Sequence, residues 1–427
     1  MSAPLGSSGS SADENIDLDK PIPASMLPPS IAGPEPADNA SSSTATQSAP
    51  PLSSAMDAPG INSNGAIDLE PFLRMVVAQR VSDIHLRIGS PPVFRKDGDM
   101  VTTKMPPLTE KVLVEFAKNI IPKPLLAKIK NRTDFDFGYD LGDIARFRVN
   151  LFYERGKLAM VLRVVPKKIP DINDLGLPDV LNRFTDLHKG LVLVTGPTGS
   201  GKSTTLAALL NQINKHQQRH IVTLEDPIEF VHENNQSVIT QRELGSDTDT
   251  FPNGIKYSLR QDPDVILIGE MRDRETISSA LHAAETGHLV FSTLHTVDAV
   301  QTINRIINIY EPHERDPVRK QLAAILQGTV SQRLVKKSDG TGEKGRLAVA
   351  EIMTVSPAIR DYIFRDEIGE IYNLLGLGEY EGMCSLNNAL YRAYKNQLIT
   401  EEDAIGTSDN PTELQQMIRG AFHGTAG

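Results

Sequence analysis

Apolar and polar positions divide the chain into three regimes. Residues 1–63 hold few aromatic or β-branched side chains among Ser, Pro, Ala, Asn and Asp. Such a segment buries too little apolar surface to offset chain entropy, which predicts a disordered tail. Order is expected from Ile67, where Leu69, Phe72, Leu73, Val76 and Val77 recur at helical spacing behind Asp68, a candidate N-cap. Between Val81 and Val165 the pattern shortens to short strands and turns. Asp83–Ile88 alternates, Lys96-Asp97-Gly98-Asp99 reads as a hairpin turn, and Ala145–Phe152 alternates with Phe147, Val149 and Leu151 on one face. The same period of two places Arg146, Arg148 and Asn150 together on the opposite face. A helical interval, Glu110–Ile129, lies between. Together these predict a compact α+β domain over residues 64–168. Residues 169–179, with Pro170 and Pro178 flanking Asp171–Leu177, read as a linker.

From Gly190 onward strand-length apolar runs alternate with helical stretches. This predicts an α/β domain over residues 180–427, a parallel sheet with helices on its faces. Ligands of such sheets gather at the carboxyl ends of the strands. The first of those ends reads LVLVTGPTGSGKS from Leu191 to Ser203. Gly196, Gly199 and Gly201 let successive N–H groups curl around one anion, and the helix beginning near Lys202 adds the positive end of its dipole. Lys202 would reach the β and γ phosphates, with the Ser203 hydroxyl on Mg²⁺.

Three more strand ends deliver polar groups. His220–Leu224 ends in Glu225, Asp226, Pro227, Ile228 and Glu229, three carboxylates in five residues. They suit a hydrated Mg²⁺; a solvated loop is the other reading. Asp264–Ile268 ends in Gly269 and Glu270. A carboxylate there can orient an attacking water and accept its proton. The common form places an Asp before that Glu, so with Gly269 in its place the metal-side carboxylate is expected from the Glu225–Glu229 cluster. Leu289–Leu294 leads into His295 and Thr296, behind a helix Arg274–Thr286 that should end at Gly287. His295 could sense the γ phosphate or be satisfied structure.

Composition narrows the picture. With 427 residues the chain can hold two or three domains. A formal net charge of −10 argues against a main task of gripping nucleic acid through a basic surface. One cysteine, Cys384, rules out an intramolecular disulfide and fits a reducing, cytoplasmic setting. No apolar run approaches the ~20 residues of a membrane-spanning helix, and no secretory signal opens the chain, so a soluble protein is expected.

The set GPTGSGKST, TLEDPIEF, DVILIGEMRD and AAETGHLVFSTLHT, in that order, resembles the secretion ATPase superfamily, and within it the type IV pilus retraction ATPases of the PilT/PilU family. SDIHLRIGSPPVFRKDGD and RFRVNLFYERG are similar to that family's first domain, so the resemblance spans Ile67 to Asn410 and leaves the N-terminal tail outside. It implies a RecA-like P-loop ATPase domain behind a smaller PAS-like α+β domain, with ATP and Mg²⁺ as cofactors. Gly196, Pro197, Thr198, Gly199, Ser200, Gly201, Lys202, Ser203 and Thr204 would form the Walker A motif. Glu229 would be the aspartate-box carboxylate near Mg²⁺, shared with Ser203, and Glu270 the atypical Walker B general base. His288 and His295 would form the histidine box, and Arg146, Arg148 and Arg155 would face phosphates as charge stabilisers. The residues alone give these arginines only a shared face, which a solvated sheet edge also explains.

The resemblance further implies a homo-oligomeric, hexameric ring with ATP between the two domains and at subunit boundaries. The ring would be cytoplasmic, peripheral to the inner membrane at the pilus base, and would meet a membrane platform protein and a paralogous retraction ATPase, but no nucleic acid. One element departs from the pattern. A C-terminal stretch reading close to AIRNLIRE in the main retraction motor is AIRDYIFRD here, Ala358 to Asp366. An accessory paralogue working beside a motor therefore stays open, as do a pilus assembly or secretion ATPase and a nucleotide-binding regulatory scaffold. The assembly branch commonly carries a four-cysteine zinc element, which one cysteine cannot supply. Intact Lys202, Ser203, Glu229 and Glu270 count against a vestigial site.

Overall fold

The computed structural model describes residues 68–96, 99–126, 134–142, 144–165, 169–338, 345–377 and 381–420. All of them lie within one compact unit, Leu52–Gly427. The expected tail, residues 1–63, lies outside the described residues.

Six strands form the first sheet: β1 (Val81–Arg87), β2 (Val93–Lys96), β3 (Asp99–Thr102), β4 (Phe135–Leu141), β5 (Ala145–Glu154) and β6 (Lys157–Val165). The order is β3-β2-β1-β6-β5-β4, antiparallel throughout. Lys96 pairs with Asp99, while Asp97 and Gly98 of the expected turn lie outside the described residues. The period of two in β5 is expressed as expected: Phe147, Val149 and Leu151 are buried, and the alternate residues face the other way. The helix Leu69–Ala78 packs Phe72 against this core, its ring 6.0 Å from Phe94 and 6.2 Å from Phe116. Burying each such ring is worth about 1.5–3 kcal/mol. Asp68 occupies the N-cap position of that helix, yet its side chain accepts no cap hydrogen bond. The helical interval after Glu110 is interrupted: one helix runs Glu110–Ile120 and a short one Lys123–Leu126. Pro122 drives Ile121 into an extended conformation and stops the first helix.

Seven strands form the second sheet: β7 (Gly190–Thr195), β8 (His220–Glu225), β9 (Val238–Glu243), β10 (Val265–Ile268), β11 (Leu289–Leu294), β12 (Leu326–Lys336) and β13 (Arg346–Thr354). The order is β13-β12-β7-β11-β10-β8-β9, parallel except for the antiparallel β12–β13 pair. Continuous apolar runs suit strands covered on both faces. Val192 and Val194 pack on one side with Leu206, Leu209 and Ile213 of the helix Lys202–His216. Leu191 and Leu193 pack on the other with Ile277 and Leu281 of the helix Arg274–Glu285. The expected linker is not loose: Ile172 and Leu177 are buried in the first of those cores, and Ile172–Leu175 forms a 3₁₀ turn. Beyond β13, the helices Leu386–Lys395, Glu401–Thr407 and Pro411–Ile418 gather Leu390, Ala404 and Leu414 over Val335 and Val349.

Candidate functional site

The loop after β7 turns on three glycines with φ of +138° at Gly196, +78° at Gly199 and +93° at Gly201. A Cβ at Gly196 would stand 2.3 Å from the Gln332 carbonyl oxygen, so this turn admits only glycine. Lys202 opens the following helix, and its ammonium donates to the carbonyls of Gly196 at 2.9 Å and Pro197 at 3.0 Å. Burial pulls its pKa below the ordinary lysine value, with the fields of Glu229 and Glu270 acting in the opposite direction.

A cleft of about 280 Å³ opens beside this loop, at the carboxyl ends of β8, β10 and β11. Thr198, Gly199, Lys202 and Ser203 line it from the loop and helix; Glu229, Glu270, His295 and Arg148 line it from elsewhere. Ser200 is buried, and Pro197, Gly201 and Thr204 do not line the cleft.

Glu270 stands two residues beyond the end of β10. That end is fastened to its neighbours: the Ser292 and Thr293 hydroxyls donate to the carbonyls of Ile268 (2.8 Å) and Gly269 (2.7 Å), and the Gly269 N–H donates to Leu224 at 2.8 Å. The Glu270 carboxylate pairs with Arg272 Nε and has His295 Nε2 at 3.4 Å, so two basic side chains orient it. Gly269 is pressed between β10 and β8: a Cβ there would meet the Leu224 carbonyl oxygen at 3.2 Å and the Glu225 Cα at 3.4 Å.

The acidic cluster after β8 divides by environment. Burial pushes the Glu225 carboxyl up to about 7, against hydrogen bonds from the Thr223 hydroxyl at 2.7 Å and Gln241 Nε2 at 3.1 Å. Glu225 is thus poorly suited to be a fixed anion. Burial also raises Asp226, with Arg148 opposing. Glu229, with Arg148 Nη1 3.7 Å away, is the cleft-lining carboxylate of this loop that pairs with a cation.

Several expected residues sit elsewhere. Arg146 does not face the cleft: Asp140, Glu243 and the Ile228 carbonyl consume its guanidinium in a buried site. The alternation that groups Arg146 with Arg148 cannot show that the second sheet presents a carboxylate to one and the open cleft to the other. Arg155 stands at the turn between β5 and β6 with φ +52°, away from the cleft. His288 lies at the start of β11, the opposite end from the chemistry, where Nδ1 is 3.0 Å from the Ala283 carbonyl oxygen at the end of a helix. Two contributors left no local signal: Gln332 of β12, which braces the phosphate-loop region, and Glu243 of β9, which anchors Arg146.

The donor set fits Mg²⁺. Among the described residues no group of three or more His, Cys, Asp or Glu is arranged to hold a metal ion alone. Mg²⁺ asks for less, since it commonly takes one or two carboxylates and completes its shell with phosphate oxygens and water.

Residues 65–375 match the family described as Type II/IV secretion system protein. The chain is 43% identical over 338 residues to the type IV pilus retraction ATPase PilT of Pseudomonas aeruginosa, covering 79% of this chain and 97% of that protein. It is 37% identical over 353 residues to the type IV pilus ATPase PilU of the same organism, covering 83% and 92%. A solved structure of the pilus retraction motor PilT with bound ADP superposes with a TM-score of 0.75 at 42% identity, covering 82% of this chain and 99% of that one.

Proposed function

The chain belongs to the Type II/IV secretion system protein family, and from that premise we propose that it is an ATP-hydrolysing motor of type IV pilus retraction, driving pilus disassembly and twitching motility. The observation that carries this reading is the convergence of Lys202, Ser203, Glu229 and Glu270 on one cleft at the strand ends. Similarity to a motor determined with ADP supports a nucleotide as the ligand.

In this reading the loop N–H groups of Gly199 to Ser203 and the Lys202 ammonium take the phosphates, exchanging their present partners for phosphate oxygens. Ser203 and Glu229 would hold Mg²⁺, which would neutralise charge on the β and γ phosphates. Glu270, oriented by Arg272 and His295, aligns the attacking water and accepts its proton. Arg148 supplies positive charge beside the negative charge of the γ phosphate. The two domains, residues 64–168 and 180–427, close over the nucleotide, and six chains form a ring. No helix among the described residues is long and apolar enough to cross a membrane, so force would reach the pilus base through a membrane platform protein.

A second reading, an accessory paralogue, is favoured by the helix Pro357–Arg365, where AIRDYIFRD replaces the motor's motif. Deleting the gene and complementing it with wild type or Glu270→Gln separates the two. Excess surface pili with no twitching, restored by wild type alone, indicate the motor. Twitching that survives deletion and falls only under load or in a weakened background indicates the accessory role, and unchanged piliation and motility would overturn both.

A further inference from the structure

Two ion pairs join the first sheet to the nucleotide site, and their arginines stand two residues apart on the polar face of β5. Arg148 reaches Glu229 at 3.7 Å, and both side chains remain more than a third exposed. Arg146 reaches Glu243 at 2.8 Å, and that pair is buried, with side chains 11% and 7% exposed.

The buried pair encloses the residue that precedes Glu229. Arg146 Nε donates to the Ile228 carbonyl at 3.2 Å, and Glu243 Oε2 accepts from the Ile228 N–H at 3.2 Å. Both peptide groups flanking the Ile228 Cα are therefore held by one ion pair, and the second is the peptide that enters Glu229. The other side of the pair is fastened to the first sheet. Gly138 of β4 donates its N–H to Glu243 Oε1 at 3.1 Å, and Asp140 accepts from Arg146 Nη1 at 2.5 Å. Gly138 leaves room for the guanidinium, since a Cβ there would stand 2.1 Å from Arg146 Nη2 and push it aside. On its own strand Glu243 is steadied by Asp247, which accepts its N–H at 2.8 Å.

We propose that Arg146 and Glu243 are a positioning pair for Glu229: with the first sheet apposed, they fix the two peptides around Ile228 and deliver the Glu229 carboxylate to the cleft. Separation of the sheets removes Arg146 and the Gly138 N–H from Glu243 together and frees the loop. Losing one partner of a buried ion pair leaves an uncompensated buried charge, so Arg146 and Glu243 hold each other, and the peptides they bind, in place. The inference rests on reading the cleft as an ATPase site with Glu229 on the metal side.

The test uses the full chain in steady-state and single-turnover ATP hydrolysis, with Mg²⁺ titrations and metal-free ADP binding. Glu243→Gln is expected to lower kcat by about tenfold and raise the Mg²⁺ concentration for half-maximal activity several-fold, the usual scale for groups that orient a metal ligand. Metal-free ADP affinity should stay within about twofold, because the phosphate loop is untouched. In a Glu229→Gln background, Glu243→Gln should cause no further loss, since its effect passes through Glu229. If Glu243→Gln leaves an unpaired guanidinium and unfolds the chain, Arg146→Gln with Glu243→Gln removes both charges, and the same outcomes apply. Losses that multiply in the Glu229→Gln background, or an unchanged Mg²⁺ dependence, would overturn the proposal. A wild-type chain that hydrolyses no ATP would instead overturn the function proposed above.

Discussion

Gln332 donates from Nε2 to the Ser200 carbonyl at 2.9 Å while its Oε1 accepts from the Thr205 hydroxyl at 2.7 Å. One buried side chain on β12 thus spans the loop of glycines and the first turn of its helix. The fit is close, since a Cβ at Gly201 would stand 2.7 Å from the same Nε2. The shape of the phosphate loop is fixed in part by a strand 132 residues further along.

Replacing Gln332 with Ala leaves a buried carbonyl and a buried hydroxyl without this partner, which costs about 1–3 kcal/mol of stability. Nucleotide affinity should fall with it, because the loop loses its brace. Chemical denaturation and titration with a fluorescent ADP would show both; affinity equal to wild type would mean the loop holds its shape alone.

Lys202 and Glu270 should separate binding from chemistry. Lys202→Ala is expected to abolish measurable nucleotide binding, whereas Glu270→Gln should bind normally and lose about 10²–10⁴-fold in kcat. Isothermal titration and phosphate release distinguish them, and a Glu270→Gln chain turning over at the wild-type rate would exclude that residue as the base.

Glu351 makes stability depend on pH. Burial pushes its carboxyl from 4.5 up to about 7, while it accepts the Ala299 N–H at 2.8 Å. A raised pKa means that the folded state holds the proton more tightly than the unfolded chain. Its contribution is complete below pH 4.5 and lost as pH rises through 7, on the order of 1–3 kcal/mol. Glu351→Gln keeps the acceptor and cannot ionise, so thermal unfolding at pH 8 should move upward while that at pH 4.5 stays nearly still. Equal shifts at both pH values would refute the assignment.

Arg148 lines the cleft of its own chain, within 3.7 Å of Glu229. Arg148→Ala should reduce kcat by about a hundredfold. Mixtures of Arg148→Ala and Lys202→Ala chains should recover no activity beyond the sum of their parts. Recovery in the mixture would place the working arginine across a subunit boundary.

How much of this was legible in the sequence follows from the range of each interaction. β7, β10 and β11 are runs of apolar residues covered on both faces, so local pattern suffices for them. β9 is an edge strand reading VITQRE, half-exposed along most of its length, and offers no such run. Its Glu243 acts on Arg146 from 97 residues away, a relation that no local spacing encodes. Arg146 and Arg148 share one face and differ only in what the second sheet sets opposite them. His295 and His288 show the same limit, being separated by the direction of β11 rather than by any property of histidine.

Gly269 carries a last consequence. Its backbone lies against the Leu224 carbonyl, which accepts the Gly269 N–H, so an aspartate at this place would need β8 to give by a few tenths of an ångström. The second acidic group of the proposed engine, Glu229, stands instead on the loop after β8. A strand is fixed by its sheet and a loop is not, so in the proposed reading the metal-side carboxylate can shift while the base at the end of β10 stays in place.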